Sequence, residues 1–294
     1  MINLKNYQNK LDDLKNVHRY ISKKLIMLYI IFGFSQVIFL GGIIALAQID
    51  PDGEKPIFII GSVLLYLSSF LLFIPIVKLN RQFTQGNLRE FIFDVVSNET
   101  NLYFEPLLSN KEYNLYVKEN SNLLSSSSLS SNLIVNVYNE TKEECIAKYS
   151  YIGITYNKYL SYSGYLIIIP SELATSDVKI FTKNFKSYAI EYKEDKENKN
   201  DLSYIYYNKK VEYKYNPLLT NLHREIDEYY NEYLSNKMSI GLLSKNNHLS
   251  IMFANNPKIH PNFLFKHKLT NEYLESLINA IIKDMDLIKR IYNK

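Results

Sequence analysis

Two long apolar runs stand out in the first third of the chain. Leu25–Gln48 contains 24 residues without a charge, and Ile57–Val77 contains 21 more. At 1.5 Å per residue, a helix of either length crosses a hydrocarbon core of roughly 30 Å. The pattern therefore predicts transmembrane helices over residues 25–48 and 57–77, joined by a short external loop over residues 49–56.

The apolar runs have two alternative interpretations, as buried helices of a soluble protein or as a cleaved signal peptide. Buried helices of a soluble protein are rarely this long without a charged residue. Ala45-Leu46-Ala47 resembles the small-x-small site of a cleaved signal peptide. The apolar run is longer than a signal peptide requires and a second run follows it, so two spans are favoured.

The charges beside the runs predict the orientation. Residues 1–24 contain six basic side chains against Asp12 and Asp13, while Lys55 is the single cation between the runs. Three more cations follow the second run: Lys78, Arg81 and Arg89. Because cations favour the cytoplasmic side, both termini are predicted in the cytoplasm, with the chain in the cell membrane. We expect the basic arm to lie at the lipid headgroups.

A heptad pattern runs through the N-terminal arm. One apolar set recurs every seven residues, and a second set follows it by three: Leu4, Leu11, His18 and Leu25, then Tyr7, Leu14, Ile21 and Leu28. This spacing predicts a basic amphipathic helix over residues 1–24 that continues into the first span. Either a dimer seam or docking on the soluble domain explains the stripe.

The C-terminus predicts another amphipathic helix. Thr270 is a suitable N-cap. The apolar positions that follow share one helical face: Leu274, Leu277, Ile278, Ile281, Ile282, Met285, Ile288 and Ile291. This face needs a partner, which is the domain's own sheet, the N-terminal arm or a second subunit.

The rest of the chain predicts a cytosolic α+β domain. Residues 78–132 form a juxtamembrane connector, helical in part, whose serine-rich tract Ser125–Ser131 is typical of a loop. Residues 133–294 form the domain, with a mostly antiparallel sheet. The predicted strands are Leu133–Tyr138, Cys145–Tyr156, Tyr162–Ile169, Val178–Phe181, Ser187–Tyr192 and Val211–Tyr215.

Further local signals refine this domain. Glu191–Asp201 is almost wholly charged or Asn, which predicts an exposed loop. Asn216-Pro217 begins a helix over Pro217–Leu234. A hairpin follows, with strands Met238–Leu243 and His248–Ala254 and a turn at Lys245-Asn246-Asn247.

Composition excludes several protein classes. The chain has 294 residues and 34 Lys+Arg against 30 Asp+Glu, which is not the balance of a disordered charged tail. The basic excess lies mainly in the N-terminal arm, so nucleic-acid binding is not indicated. The single cysteine, Cys145, cannot form an intramolecular disulfide, and a Cys-based zinc site needs more thiols. A reducing compartment is therefore favoured for the soluble part.

No catalytic signature is present. The sequence lacks a P-loop, Gly-x-Gly-x-x-Gly, Gly-x-Ser-x-Gly and His-Glu-x-x-His. Three histidines match no standard metal spacing: His248, His260 and His267. Three carboxylates share a face typical of solvated helices: Glu225, Glu228 and Glu232. The catalytic residues remain unknown, and neither a cofactor nor a metal is expected.

Short motifs in the second half of the chain fit one known family. They are the glycine-centred strand start Tyr162–Ile167, the aromatic set Phe181, Phe185 and Tyr188, the helix start Tyr213–Pro217, the final strand Asn247–Phe253 and the final helix Tyr273–Ile291. With the two N-terminal membrane helices, they resemble the bacterial family catalogued as domain of unknown function 3137. The chain departs from that family at Glu212, where arginine is usual, and in a long charged insertion after Glu191. The resemblance implies a membrane anchor and a cytosolic domain, without an assigned activity.

Two functional hypotheses follow from the sequence. The first is a membrane-anchored interaction or accessory module that contacts membrane lipids and, through its amphipathic helices, a protein partner or a second copy of the chain. The alternative is a membrane-surface enzyme acting on lipid or cell-envelope precursors, with Glu225, His248 or His260 meeting in a cleft. The absence of a catalytic motif favours the first.

Overall fold

A computed structural model describes most of the chain, in two compact units. The described residues are 2–49, 60–61, 63, 66–67, 71, 73–107, 110–121, 128–156, 159–172, 174, 178–182, 192–195, 203–208, 219, 221–226, 239–254 and 269–292. The helical unit comprises Leu4–Phe91 and Asn262–Thr270. The sheet unit comprises Met1–Asn3, Ile92–Pro261 and Asn271–Lys294.

The helical unit is organised around one long helix. A 3₁₀ turn over Leu4–Tyr7 leads into α1, Gln8–Ile49, a helix of 42 residues that is about 63 Å long. Within Leu4–Ala45, this part of the chain is apolar enough and long enough to cross a membrane. The second helix, α2 (Phe73–Gln82), continues as a π-helix over Phe83–Leu88, and both pack on α1. The prediction that the arm and the first apolar run form one helix is confirmed.

The heptad seam of α1 extends further than the arm. Its positions are buried or half-buried from the first turn to the middle of the apolar run: Leu4, Tyr7, Leu11, Leu14, His18, Ile21, Leu25, Leu28, Phe32, Ser35, Phe39 and Gly42. Most other positions of α1 are exposed. The seam is therefore covered within the chain, in part by α2 and the π-helix that follows it.

The described strands of the sheet unit form one nine-stranded sheet, with every neighbouring pair antiparallel. Their order across the sheet is β1-β2-β3-β4-β9-β8-β5-β7-β6. Their bounds are β1 Tyr103–Pro106, β2 Ser128–Tyr138, β3 Cys145–Tyr156, β4 Tyr159–Pro170, β5 Val178–Thr182, β6 Tyr192–Asp195, β7 Ser203–Asn208, β8 Ser239–Lys245 and β9 His248–Ala254. The α+β class and the antiparallel sheet are confirmed.

The turn between β8 and β9 shows how local chemistry fixes the register. Asn246 and Asn247 have φ values of 50° and 57°, in the left-handed region that asparagine tolerates better than most residues. Two such residues form the tight turn whose twist matches that of paired strands. Lys245 therefore pairs with His248, and the predicted hairpin is confirmed.

Helices cover both faces of the sheet. The C-terminal helix α5 (Asn271–Tyr292) packs on β3, and its buried face comprises Leu274, Leu277, Ile278, Ile281, Asp284, Met285, Leu287, Ile288 and Ile291. The predicted face is thus confirmed apart from Ile282, which is half-buried. Helix α4 (Asn110–Asn120) lies on the opposite face of the sheet. Its Tyr113 and Val117 pack against the strand side chains that point to that face, since successive residues of a strand point to opposite faces. Helix α3, Arg89–Thr100, contains the boundary between the two units.

Three segments differ from the sequence predictions. The loop prediction is wrong for residues 128–131, because these serine-rich residues pair with β3 and extend β2 through a bulge. Tyr103–Pro106 within the predicted connector is strand β1, which pairs with β2. β6 lies inside the predicted charged loop and pairs with β7. In each case backbone pairing with a neighbouring strand outweighs local composition.

Some predictions lie outside the described residues. They concern residues 50–56 of the external loop, about half of the second span over residues 57–77, the strand over Val211–Tyr215 and most of the strand over Ser187–Tyr192. Of the helix over Pro217–Leu234, residue 219 and residues 221–226 are described, and they are helical.

Candidate functional site

The helical unit exposes many large apolar side chains, which together are called its apolar surface. On α1 the exposed aliphatic side chains begin at Ile26, after the exposed ring of Tyr20, and Phe34, Val37 and Ile38 are 66%, 67% and 68% exposed. On α2 the side chains of Ile74 and Val77 are also exposed. Soluble monomers rarely expose apolar patches larger than a few hundred Å², so this surface requires an apolar environment or a partner.

Two ring contacts show how the chain returns along α1. The rings of Phe39 and Tyr66 stack with centroids 4.7 Å apart, and those of His18 and Phe83 lie 5.2 Å apart. As residue numbers fall along α1 from 39 to 18, they rise on the returning chain from 66 to 83. The two parts of the helical unit therefore run antiparallel.

In the sheet unit, the α5 face contains a buried polar pair. The Tyr149 hydroxyl donates a hydrogen bond of 2.7 Å to Oδ2 of Asp284. Both residues are buried, and Asp284 lies in the apolar face of α5. The pair joins β3 to the C-terminal helix across 135 residues of sequence.

Aromatic rings surround this pair. Tyr149 and Tyr165 stack at 5.4 Å, and Tyr151 meets Tyr165 edge-on at 5.2 Å. Burial raises the pKa of the Tyr165 phenol well above its usual value, and the nearby Tyr273, Asp284 and Tyr151 add to this. The Tyr165 phenol therefore stays protonated at neutral pH.

The α4 face contains a second polar pair. The hydroxyl groups of Tyr113 and Ser150 lie 2.5 Å apart and are buried. Burial raises the pKa of Tyr113, while its hydrogen bond with Ser150 lowers it. This pair fixes α4 on β3, as Tyr149 and Asp284 fix α5.

A partly exposed cluster lies near the start of β9, and one sequence candidate is in it. The His248 ring meets that of Tyr116 edge-on at 5.7 Å, and Lys148 Nζ lies 4.7 Å from the centroid of Tyr116. Nζ of Lys148 also donates to Oδ1 of Asn136 at 2.9 Å. His248 Nδ1 lies 2.7 Å from the carbonyl oxygen of Asn246, so this nitrogen carries the proton.

Tyr116 and Cys145 are not prepared for nucleophilic chemistry. Burial raises the pKa of Tyr116 to about 12, and the neighbouring Cys145 adds to this. Burial likewise raises the pKa of the Cys145 thiol, although Lys148 lowers it in part. At neutral pH the uncharged forms predominate, whereas a reactive cysteine needs a thiolate.

The predicted site residues are not brought together in the part of the chain that the structure describes. His248 contacts Tyr116 and Asn246, whereas Glu225 is exposed on the helical segment over residues 221–226. His260, His267, Glu228 and Glu232 lie outside the described residues. Among the described side chains, no group of three or more His, Cys, Asp or Glu residues is arranged to hold a metal ion.

The sequence reasoning missed the Tyr149–Asp284 pair. One signal was available, because Asp284 falls on the apolar face of the predicted C-terminal helix, where a carboxylate needs a partner. Residue spacing along the chain does not identify that partner, because Tyr149 and Asp284 are distant in sequence.

Comparison of the chain with protein-family models, curated proteins and solved structures gave no match. The resemblance to the family of domain of unknown function 3137 therefore stays a prediction.

Tyr149→Phe is expected to lower the free energy of unfolding by about 1–3 kcal/mol, because it removes the donor from a buried carboxyl group. In a cycle with Asp284→Ala, which removes the acceptor, the two changes should be non-additive by about 0.5–3 kcal/mol, measured by urea unfolding of the full chain. Tyr292→Phe is the control, since that hydroxyl bonds to Glu144 on the exposed surface. Additive effects of the two changes would contradict a direct coupling.

The pKa of Cys145 predicts slow alkylation near neutral pH. The alkylation rate is measured against pH for the folded chain and for the chain unfolded in urea. The midpoint, the pH at which the rate is half-maximal, should be higher for the folded chain, because burial disfavours the thiolate. Lys148→Gln should raise the midpoint further, whereas Lys111→Gln should leave it unchanged. A folded midpoint at or below the unfolded one would contradict this assignment.

Proposed function

We propose that this chain is an integral membrane protein of the cell membrane with two spans, residues 25–48 and 57–77. The observation that carries the proposal is the apolar surface of the helical unit, which begins at Ile26 and continues along α1. The antiparallel contact of Phe39 with Tyr66 supports a helical hairpin. In a bilayer this surface faces lipid, and the helices satisfy their own backbone hydrogen bonds.

The charge pattern supports cytoplasmic termini. The first 24 residues are rich in cations, and Lys78, Arg81 and Arg89 follow the second apolar run. With residues 49–56 outside, the sheet unit lies in the cytoplasm. This arrangement also agrees with the anchor and cytosolic domain implied by the resemblance to domain of unknown function 3137.

We propose further that the sheet unit is an interaction or accessory module held at the membrane. Two buried polar pairs of the sheet unit are used to hold helices on the sheet, Tyr149–Asp284 on one face and Tyr113–Ser150 on the other. The apolar faces of the amphipathic helices are buried in their own chain, Leu11 and Leu14 among them. A partner then binds elsewhere on the surface, and Leu115 on α4, which is 52% exposed, is a described apolar side chain suited to such a contact.

Labelling of the single cysteine tests the topology. In sealed vesicles, a membrane-impermeant maleimide at pH about 8.5, near the usual thiol pKa, should modify Cys145 from the cytoplasmic face and not from the external face. A Cys145→Ser, Asp52→Cys variant should show the opposite pattern, because residue 52 lies in the external loop. Labelling of both positions from the same side would contradict the hairpin.

The native mass of the full chain in mild detergent tests the interaction module. We expect a partner at fixed stoichiometry or a defined homo-oligomer in material purified from its own cells. Leu115→Asp should weaken that association, whereas Lys111→Asp on the same helix should not. A bare monomer under all conditions would contradict the module and shift attention to catalysis at the membrane surface.

A further inference from the structure

Four exposed cations mark the edge of the apolar surface. Lys23 and Lys24 lie on α1 shortly before Ile26, where the exposed aliphatic side chains of that helix begin. On α2, Lys78 directly follows Val77, the last exposed aliphatic side chain of that helix, and Arg81 lies one turn further on. We call Lys23, Lys24, Lys78 and Arg81 the basic collar.

The collar residues lie at similar heights along the antiparallel helices. The contact between His18 and Phe83 sets a common level on α1 and on the returning chain. Counted from it toward the apolar surface, Lys23 and Lys78 are each five residues away, or about 7.5 Å at 1.5 Å per residue. Lys24 is about 9 Å and Arg81 about 3 Å from that level. Their long side chains can bridge this difference in height.

The positive charge of the collar is not compensated by nearby acids in the sequence. The chain contains no Asp or Glu between Asp13 and Asp50, and none between Glu54 and Glu90. Among the described residues, two collar side chains contact neutral groups: Lys24 Nζ lies 4.3 Å from the Tyr20 ring centroid, and Arg81 Nε donates to Gln85 Oε1 at 2.9 Å. These contacts leave the charge available to an external anion.

We propose that the basic collar binds the phosphate headgroups of anionic phospholipids. Lys and Arg form strong charge-assisted hydrogen bonds to phosphate oxygens. The exposed side chains of Ile26, Met27 and Val77 lie next to the cations and offer a surface to the acyl chains of the same lipid. The ligand is thus a lipid and not free phosphate. The inference rests on the proposed membrane anchoring.

Native mass spectrometry of the full chain, in a neutral detergent with equal phosphatidylglycerol and phosphatidylcholine, tests the collar. We expect a preference for phosphatidylglycerol of roughly tenfold or more, since each cation near an anionic headgroup layer contributes a severalfold effect. Replacing Lys23, Lys24, Lys78 and Arg81 with Gln should reduce the preference to near unity. The matched control replaces Lys111, Lys118, Lys142 and Arg224 with Gln, and should retain it.

Several outcomes would overturn the collar. They are an unchanged preference in the collar variant, an equal loss in the control, or displacement of phosphatidylglycerol by a matching concentration of inorganic phosphate. Should the collar variant fail to fold, the wild-type preference is measured in about 0.05 M and about 0.5 M salt, where screening of exposed charges differs strongly. A preference insensitive to salt would also overturn it.

Alkaline extraction of membranes separates this inference from the proposed function. A chain released by alkali is not an integral membrane protein, and the anchoring proposal then fails. A chain that stays in the membrane but shows no lipid preference refutes the collar alone.

Discussion

The constraint on which the structure depends is the apolar surface of the helical unit. Each Å² of such surface kept from water stabilises a protein by about 25 cal/mol, so a belt that begins at Ile26 on α1 strongly disfavours an aqueous surrounding. Inside a bilayer no water is present to form hydrogen bonds with the backbone N–H and C=O groups. A helix forms these hydrogen bonds internally, so it is the stable structure for such a segment in lipid. The same side chains thus favour both the helix and an apolar surrounding for it.

The heptad seam of α1 keeps its spacing from the arm into the apolar run, but the side chains that form it differ between the two regions. In the arm it is closed by large aliphatic residues such as Leu11 and Ile21, which are buried. In the apolar run it passes through Phe32, Ser35 and Gly42, which are half-buried. His18 lies between these regions against Phe83, and burial lowers its pKa, which favours the neutral ring at this contact. An uncharged histidine is compatible with a packed seam, whereas a protonated one would need an anion.

Local patterns predicted those elements whose determinants are local. The bounds of β3, the turn at Asn246 and Asn247, and the apolar face of α5 all follow from spacing and residue type. Predictions failed where distant pairing decides, as in residues 128–131, which are strand because β3 lies beside them. The Tyr149–Asp284 pair is the extreme case, since only the tertiary fold brings the two residues together.

Three buried or half-buried titratable groups of the sheet unit contribute to its packing in their uncharged forms. Tyr113, Tyr165 and Cys145 have raised pKa values because they are buried, and this keeps them uncharged in a domain whose polar pairs hold helices to the sheet. A catalytic group is usually tuned in the other direction, toward titration near neutral pH or toward an anionic nucleophile. The apolar surface and the basic collar of the helical unit, by contrast, are exposed in the part of the chain that the structure describes, so they are available to an apolar or anionic surrounding.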